Sequence, residues 1–225
     1  MLLAGFLPLI FGARLLVDGA SSLAARMNVP QIVIGLTIVA FGTSAPEMVV
    51  NLFAALEKNS SIVTGNVLGS NIFNIFAIIG ISALIYPLQV RSRTTWIEIP
   101  LCFLASLVLL TTANDGLIDG AVVNRIGRTD GIVLLLFFSI FISYSFHSIS
   151  QDTHVDEISV RLLSPLRSLT FVLLGIALLV AGGRIIVPSA VSLARRIGLS
   201  ERVIALTIVS IGTSLPELAT SAVAA

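Results

Sequence analysis

Two short polar motifs interrupt apolar stretches of the chain, Gly42-Thr43-Ser44-Ala45-Pro46-Glu47 and Gly212-Thr213-Ser214-Leu215-Pro216-Glu217. Each gathers hydroxyls, a proline and a carboxylate in one place. A carboxylate at mid-bilayer costs about 2.5–3.5 kcal/mol on insertion scales, so a repeated one needs a reason. Pro46 has no N–H, and its ring clashes with the carbonyl four residues back, so the hydrogen-bond ladder near Gly42 must open. Gly42 tolerates the unusual backbone this needs. Carbonyls freed between Ala40 and Thr43 must then face protein or a wet cavity, because lipid does not solvate them. Broken helices that set backbone oxygens beside an acid are a recurrent way to hold a cation in a membrane.

The chemistry of the donors narrows the cation. Thr43, Ser44, Glu47 and the freed carbonyls all offer oxygen within about one helical turn. Ca²⁺ and Na⁺ are hard ions that prefer oxygen, and Ca²⁺ takes about 6–8 such ligands. No His/Cys cluster competes for a softer metal. Ser44-x-x-Glu47 also fits a capping box, in which Ser44 caps a helix and Glu47 reaches back to it. Duplication at Ser214 and Glu217 inside apolar stretches favours ligation, yet both can hold, since a capped half-helix is how a broken span restarts.

A third polar run, Gly65-Asn66-Val67-Leu68-Gly69-Ser70-Asn71-Ile72-Phe73-Asn74, opens another apolar stretch. Gly65 and Gly69 make a small-xxx-small face for close helix approach. Ser70 and Asn74 are four apart and fall on one helix face. They are placed either to add neutral oxygens to a cation shell or to join helices by hydrogen bonds.

The elements that must position these groups are membrane spans. The chain is 56% hydrophobic and 11% charged, with mean hydropathy +1.04, against about 25% charged residues in soluble domains. Seven segments have roughly the length of a span, at 2–26, 31–56, 62–86, 96–112, 131–147, 167–190 and 202–225. A net charge of +1 gives no footprint for nucleic acid. Lone Cys102 reads as a buried small hydrophobe. The first residues lack a cationic n-region and run on into a longer span, against a cleaved signal peptide. The joint from Ser148 to Leu166 carries Asp152, His154, Asp156 and Glu157; it reads as a solvated linker, without the EF-hand pattern of a calcium loop.

An ungapped shift of 170 residues aligns the chain with itself: from Gly12/Gly182 to Glu47/Glu217, 19 of 36 positions are identical. The offset contains five spans, and an odd number turns the second copy upside down, the inverted-repeat plan of secondary transporters. The expected fold is therefore an all-α inverted-repeat transporter bundle. Five spans per repeat make ten in the full protein, about seven of them present here. Residues 1–147 form the first repeat, 148–166 a linker, and 167–225 the start of a second repeat that stops inside its second span. The shift also places a second G-N-x-x-G-S-N beyond Ala225, so the chain reads as a fragment. Lys and Arg are split about equally between alternate joints, which leaves orientation undecided.

Together, the GTSxPE pair, the G-N-x-x-G-S-N run and the inverted duplication resemble the sodium/calcium exchangers of the cation/calcium antiporter superfamily. The resemblance covers essentially the whole chain, with its first motif region at 40–74 and its second at 210–217. It implies that Glu47 and Glu217 are the central carboxylates. It further implies that Thr43, Ser44, Thr213 and Ser214 supply hydroxyls and carbonyls, that Ala40 and Ser210 give backbone oxygens at flanking sodium sites, and that Ser70 and Asn74 line the site. The implied activity is exchange of Ca²⁺ for Na⁺ by alternating access, with spans one and six sliding past the rest and no cofactor beyond the transported ions. Three Na⁺ per Ca²⁺ would move one net charge per cycle, worth about 2.3 kcal/mol per 100 mV.

The alternatives are a potassium-dependent or proton-coupled calcium exchanger and, from another class, a non-transporting membrane scaffold. An intramembrane protease fits poorly, since Ser44 has no His or Lys at membrane depth to activate it. The expected partners are the two ions and the lipid bilayer; the expected location is multi-pass in the plasma (inner) membrane. Arg14 and Asp18, at i and i+4, are expected to neutralise one another. Arg184 meets Pro188 at that spacing and has no evident partner. His147 and His154 lie at or beyond a span end.

Overall fold

The computed structural model describes residues 1–29, 31–90, 92, 94–149 and 162–224, and every regular element among them is helical. Five helices are long and apolar enough to cross a membrane, and up to seven if each of two bent pairs counts as one span. The protein is an all-α, multi-pass membrane protein. Its described part divides into two compact units, one of residues 1–87 and 156–225 and the other of 88–155.

The larger unit holds the polar motifs. α1 spans Leu2–Arg26, with Pro8 tolerated inside it. α2 covers residues 31–43 and is interrupted by a π-helical turn at Gly35–Val39. α3 spans Ala45–Leu56 and leaves α2 at a 51° bend. α4, Ser60–Ile85, is capped by Asn59, whose side chain accepts from the Ile62 N–H; it carries a second π-turn at Phe73–Ile78.

The smaller unit contains α5 (Thr94–Thr112), α6 (Asp115–Ile118) and α7 (Arg128–Ile149). In the larger unit, α8 then runs Pro165–Ile197, α9 Glu201–Thr213 and α10 Leu215–Ala224, with a 41° bend between the last two.

The sequence predicted both bends, but not the π-turns that precede them. These fall at Gly35–Val39 and Ala205–Val209, equivalent under the 170-residue shift. Such turns slip one residue into the ladder and are frequent at functional sites.

α8 is longer than the predicted 167–190. Ser164 caps its start by accepting from the Arg167 N–H, and it ends on Gly198 in the left-handed conformation, φ 72°. Ser192, Arg195 and Arg196 end the apolar run without ending the helix, since all three are compatible with helical backbone.

α1 and α8 pack antiparallel through glycines. A Cβ at Gly5 would lie 2.7 Å from Ile186, at Gly12 2.8 Å from the Gly175 carbonyl, and at Gly19 2.6 Å from the Ser168 carbonyl. Only hydrogen fits there, so the two backbones meet, as small residues allow in membranes. One end is pinned by hydrogen bonds: the Leu163 N–H donates to Ser22 Oγ at 2.9 Å, and Arg26 Nε donates to the Leu163 carbonyl at 2.8 Å. Leu9, Ile34, Val50, Ile62, Ile186 and Ile204 are fully buried in this unit.

In the smaller unit, Tyr144 donates its hydroxyl proton to Glu98 at 3.0 Å, linking α7 to α5. Cys102 is exposed on α5, contrary to the expected buried position. The segment Ile99–Thr112 is apolar all round and buries none of its residues in the protein, as suits a lipid-facing span.

Among the described residues no ion pair joins Arg14 to Asp18, and both side chains face outward. The i,i+4 spacing permits contact but does not impose a rotamer. Arg184 does have a partner: its guanidinium lies over the Phe53 ring, 5.8 Å from the centroid. Most of the 148–166 linker, with Asp152, His154, Asp156 and Glu157, lies outside the described residues, as does the His147 side chain.

Candidate cation site

Each carboxylate of the two motifs sits in the first turn of a helix that restarts after a bend. Glu47 follows Pro46 at the start of α3, and Glu217 follows Pro216 at the start of α10. The unpaired N–H groups of a first helical turn favour an anion there. Neither Pro46 nor Pro216 returns an N–H to the glycine four residues back, Gly42 and Gly212.

The two motifs then meet crosswise. Ser214 Oγ donates to Glu47 Oε1 at 2.7 Å, and Ser44 Oγ donates to Glu217 Oε1 at 3.1 Å. The Ser44-x-x-Glu47 spacing does not close as a capping box here. Ser44 stands at the N-cap position of α3 but makes no side-chain cap bond, and its proton goes to a carboxylate 173 residues away.

Six buried side-chain oxygens lack a hydrogen-bond partner among the described residues. Four belong to residues expected at the site: Glu47 Oε2, Glu217 Oε2, Ser70 Oγ and Asn74 Oδ1. Buried polar atoms in native structures are almost always satisfied, so unmet ones call for a reason, and a role in binding an ion is one of the usual ones. Asn74 lies in the π-turn of α4, which packs against α10 and therefore against the helix of Glu217. No ion pair reaches either carboxylate among the described residues.

The threonine hydroxyls send their protons into their own helices. Thr43 Oγ1 donates back to the Ala40 carbonyl at 3.0 Å, and Thr213 Oγ1 donates to the Ser210 carbonyl at 3.2 Å. Those carbonyls also accept the Ser44 N–H at 3.4 Å and the Ser214 N–H at 3.0 Å. The Ala40 and Ser210 oxygens are thus engaged within their own helices. Short hydroxyl side chains in a helix find the preceding turn's carbonyl readily, a competition the motif spacing alone does not reveal.

The two motifs also differ in cover. Ser210, Thr213 and Ser214 are fully buried, whereas Ala40 and Ser44 are exposed. α4 accounts for this by lying directly on the second motif. A Cβ at Gly65 would meet the Arg202 carbonyl at 2.6 Å, and one at Gly69 would collide with the Leu206 carbonyl and the Ser210 hydroxyl.

Two asparagines absent from the expected set belong to this region. Asn66, fully buried, donates Nδ2 to Asn51 Oδ1 at 3.0 Å. Its own oxygens accept from Ser210 Oγ and Thr213 Oγ1 at 3.1–3.5 Å. Asn66 is part of the G-N-x-x-G-S-N run, and Asn51 lies four residues past Glu47 on the same helix face; both signals were present in the sequence.

The family model described as sodium/calcium exchanger protein matches residues 1–147 and 167–225 of the chain. The putative antiporter CaxA of Alkalimonas amylolytica is 38% identical over 226 residues, covering 97% of this chain and 68% of that protein. The inner membrane protein YrbG of Escherichia coli (strain K12) is 36% identical over 230 residues, covering 98% of this chain and 68% of that one. The chain thus spans about two thirds of the length of these relatives. Among solved structures, the sodium-calcium exchanger NCX_Mj soaked with 2.5 mM Na⁺ and 10 mM Sr²⁺ superposes with a TM-score of 0.54 at 31% identity, covering 98% of this chain and 69% of that one. The matched family is one of transporters rather than enzymes.

Proposed function

The chain belongs to the sodium/calcium exchanger family, and from that premise we propose that it is a secondary antiporter exchanging Ca²⁺ for Na⁺ by alternating access, with Glu47 and Glu217 as the central cation ligands. The observation that carries this reading is the set of four unmet buried oxygens, Glu47 Oε2, Glu217 Oε2, Ser70 Oγ and Asn74 Oδ1. Two carboxylates and two neutral oxygens suit a hard divalent ion. The protons of Ser44 and Ser214 mark the remaining carboxylate lone pairs, which a cation would take in competition with them. Thr43 and Thr213 contribute hydroxyl and backbone oxygens in this scheme, their hydroxyl protons pointing away to the Ala40 and Ser210 carbonyls and leaving the oxygen lone pairs for an ion. Ala40 and Ser210 flank the centre as sodium ligands once their carbonyls exchange an internal bond for an ion.

The fold behind this function is an inverted repeat of five spans, 1–147 against a second copy beginning at 167, with 148–166 as linker. The antiparallel pairing of α1 with its repeat counterpart α8 supports it. So do the bends and π-turns at equivalent positions in the two copies. The plasma (inner) membrane is the proposed location. Purified protein in vesicles, with Na⁺, K⁺ and H⁺ gradients imposed one at a time, tests the coupling. Ca²⁺ uptake that follows the Na⁺ gradient alone is the expected result. Uptake that follows only K⁺ or H⁺ contradicts the proposed coupling, and no gradient-driven flux contradicts transport.

A further inference from the structure

Besides the direct Ser44–Glu217 and Ser214–Glu47 bonds, Asn66 of α4 makes hydrogen bonds to both motif-bearing helix pairs. On one side its Nδ2 donates to Asn51 Oδ1 at 3.0 Å, and Asn51 sits one turn beyond Glu47 on α3. On the other side, its carboxamide oxygen lies 3.5 Å from Thr213 Oγ1 and 3.4 Å from Ser210 Oγ, both in the last turn of α9, and each hydroxyl shares its single proton between this oxygen and a nearer carbonyl. Its backbone carbonyl also accepts from Ser210 Oγ, at 3.1 Å. The side chain is fully buried, as are Ser210 and Thr213. Buried networks of this kind are worth more than isolated surface bonds and fix geometry as well as energy.

The position has no slack. Asn66 is flanked by Gly65 and Gly69, whose missing side chains let α4 lie against the Arg202 and Leu206 carbonyls of α9. That close approach brings a short carboxamide within reach of α9 and α3 together.

We propose that Asn66 is a positioning residue that couples the two halves of the site, transmitting a change in the second motif to the helix of Glu47 through Asn51. This rests on the exchange reading above. When an ion draws the Ser210–Thr213 turn, the hydroxyls of that turn pull on Asn66, and Asn66 pulls on α3. The two carboxylates then move toward the ion as a pair instead of separately. The amide is suited to this because it accepts on one side and donates on the other.

Asn66→Leu keeps the approximate volume and removes the side-chain links to Asn51, Ser210 and Thr213, while the backbone carbonyl at position 66 still accepts from Ser210 Oγ. Ser210 retains its bond to the Ala205 carbonyl at 2.6 Å, and Thr213 retains its bond to the Ser210 carbonyl, so neither hydroxyl is orphaned. The test compares Asn66→Leu, Asn51→Leu and the double variant in the full chain, reading Na⁺ and Ca²⁺ affinity by ion-dependent thermal stabilisation and the melting temperature in chelator. Each single variant is expected to weaken both affinities about tenfold, and the double variant no more than either alone, the signature of two residues acting through one bond.

Unchanged affinities with a lowered melting temperature in chelator would make Asn66 a packing residue and overturn the proposal. Losses that multiply in the double variant would overturn it too. If the unsubstituted protein gains no stability from either ion, the exchange reading fails first, a result distinct from both of these.

Discussion

Gly69 offers a direct test of the packing that builds the site. A Cβ there would collide with the Leu206 carbonyl and the Ser210 hydroxyl, one a backbone atom and the other locked by hydrogen bonds. Neither is the far end of a flexible chain, so Gly69→Ala must push α4 away from α9. Overpacking of this sort costs about 1–3 kcal/mol. In a domain of this size that is a fall in melting temperature of roughly 3–10 °C.

Gly80, later in α4, provides the contrast, because an added Cβ meets nothing within 4 Å. Gly80→Ala is expected to leave stability unchanged or to raise it by up to about 1 kcal/mol through helix propensity. Both variants are measured by thermal unfolding in the same detergent, with and without Ca²⁺. Gly69→Ala is expected to lose part of the Ca²⁺-induced stabilisation as well, since the displaced Ser210 lies in the second motif. Equal melting temperatures for the two variants would refute the reasoning, because they would mean that α4 does not lie on the second motif as closely as described.

Replacing Pro46 or Pro216 with Ala returns an N–H to the ladder; ion binding is expected to weaken while stability in chelator stays equal or rises, and ion titration of thermal stability checks both. Ser214→Ala removes a 2.7 Å bond from a fully buried hydroxyl to Glu47, whereas Ser44→Ala removes a 3.1 Å bond from an exposed one. The first is expected to cost about 1.5–3 kcal/mol and the second about 0.5–1.5 kcal/mol, so equal losses in chelator melts would contradict the burial difference.

Much of this arrangement was legible from residue types. The paired prolines announced two breaks, and the breaks fall between Thr43 and Ala45 and between Thr213 and Leu215, beside the glycines that allow them. Gly65 and Gly69 announced a close helix contact, and α4 makes it with α9. The G-N-x-x-G-S-N run drew attention to Ser70 and Asn74, whose oxygens make no hydrogen bond among the described residues, without saying which of its two roles they take.

The rest depended on contacts that no spacing encodes. Ser44 donates to a carboxylate from the other motif, a partner set by tertiary proximity. Thr43 and Thr213 turned to carbonyls of the preceding turn, as threonine does in a helix. Arg184 found Phe53, which lies 131 positions away and carries no charge to suggest a pair. The π-turns leave no residue signature, because they arise from an extra residue accommodated under packing.

The central claim is that the duplicated carboxylates bind the transported cation. The most direct measurement is Ca²⁺ uptake by Na⁺-loaded vesicles containing the complete protein with all ten expected spans, its Glu47→Gln variant or its Glu217→Gln variant, each shown by circular dichroism and gel filtration to be folded. Removing an intramembrane charge eases insertion, so folded protein is expected in every case. The account predicts Na⁺-driven uptake by the unsubstituted protein and near-complete loss in each variant. Robust Na⁺-driven uptake by either folded variant would contradict it.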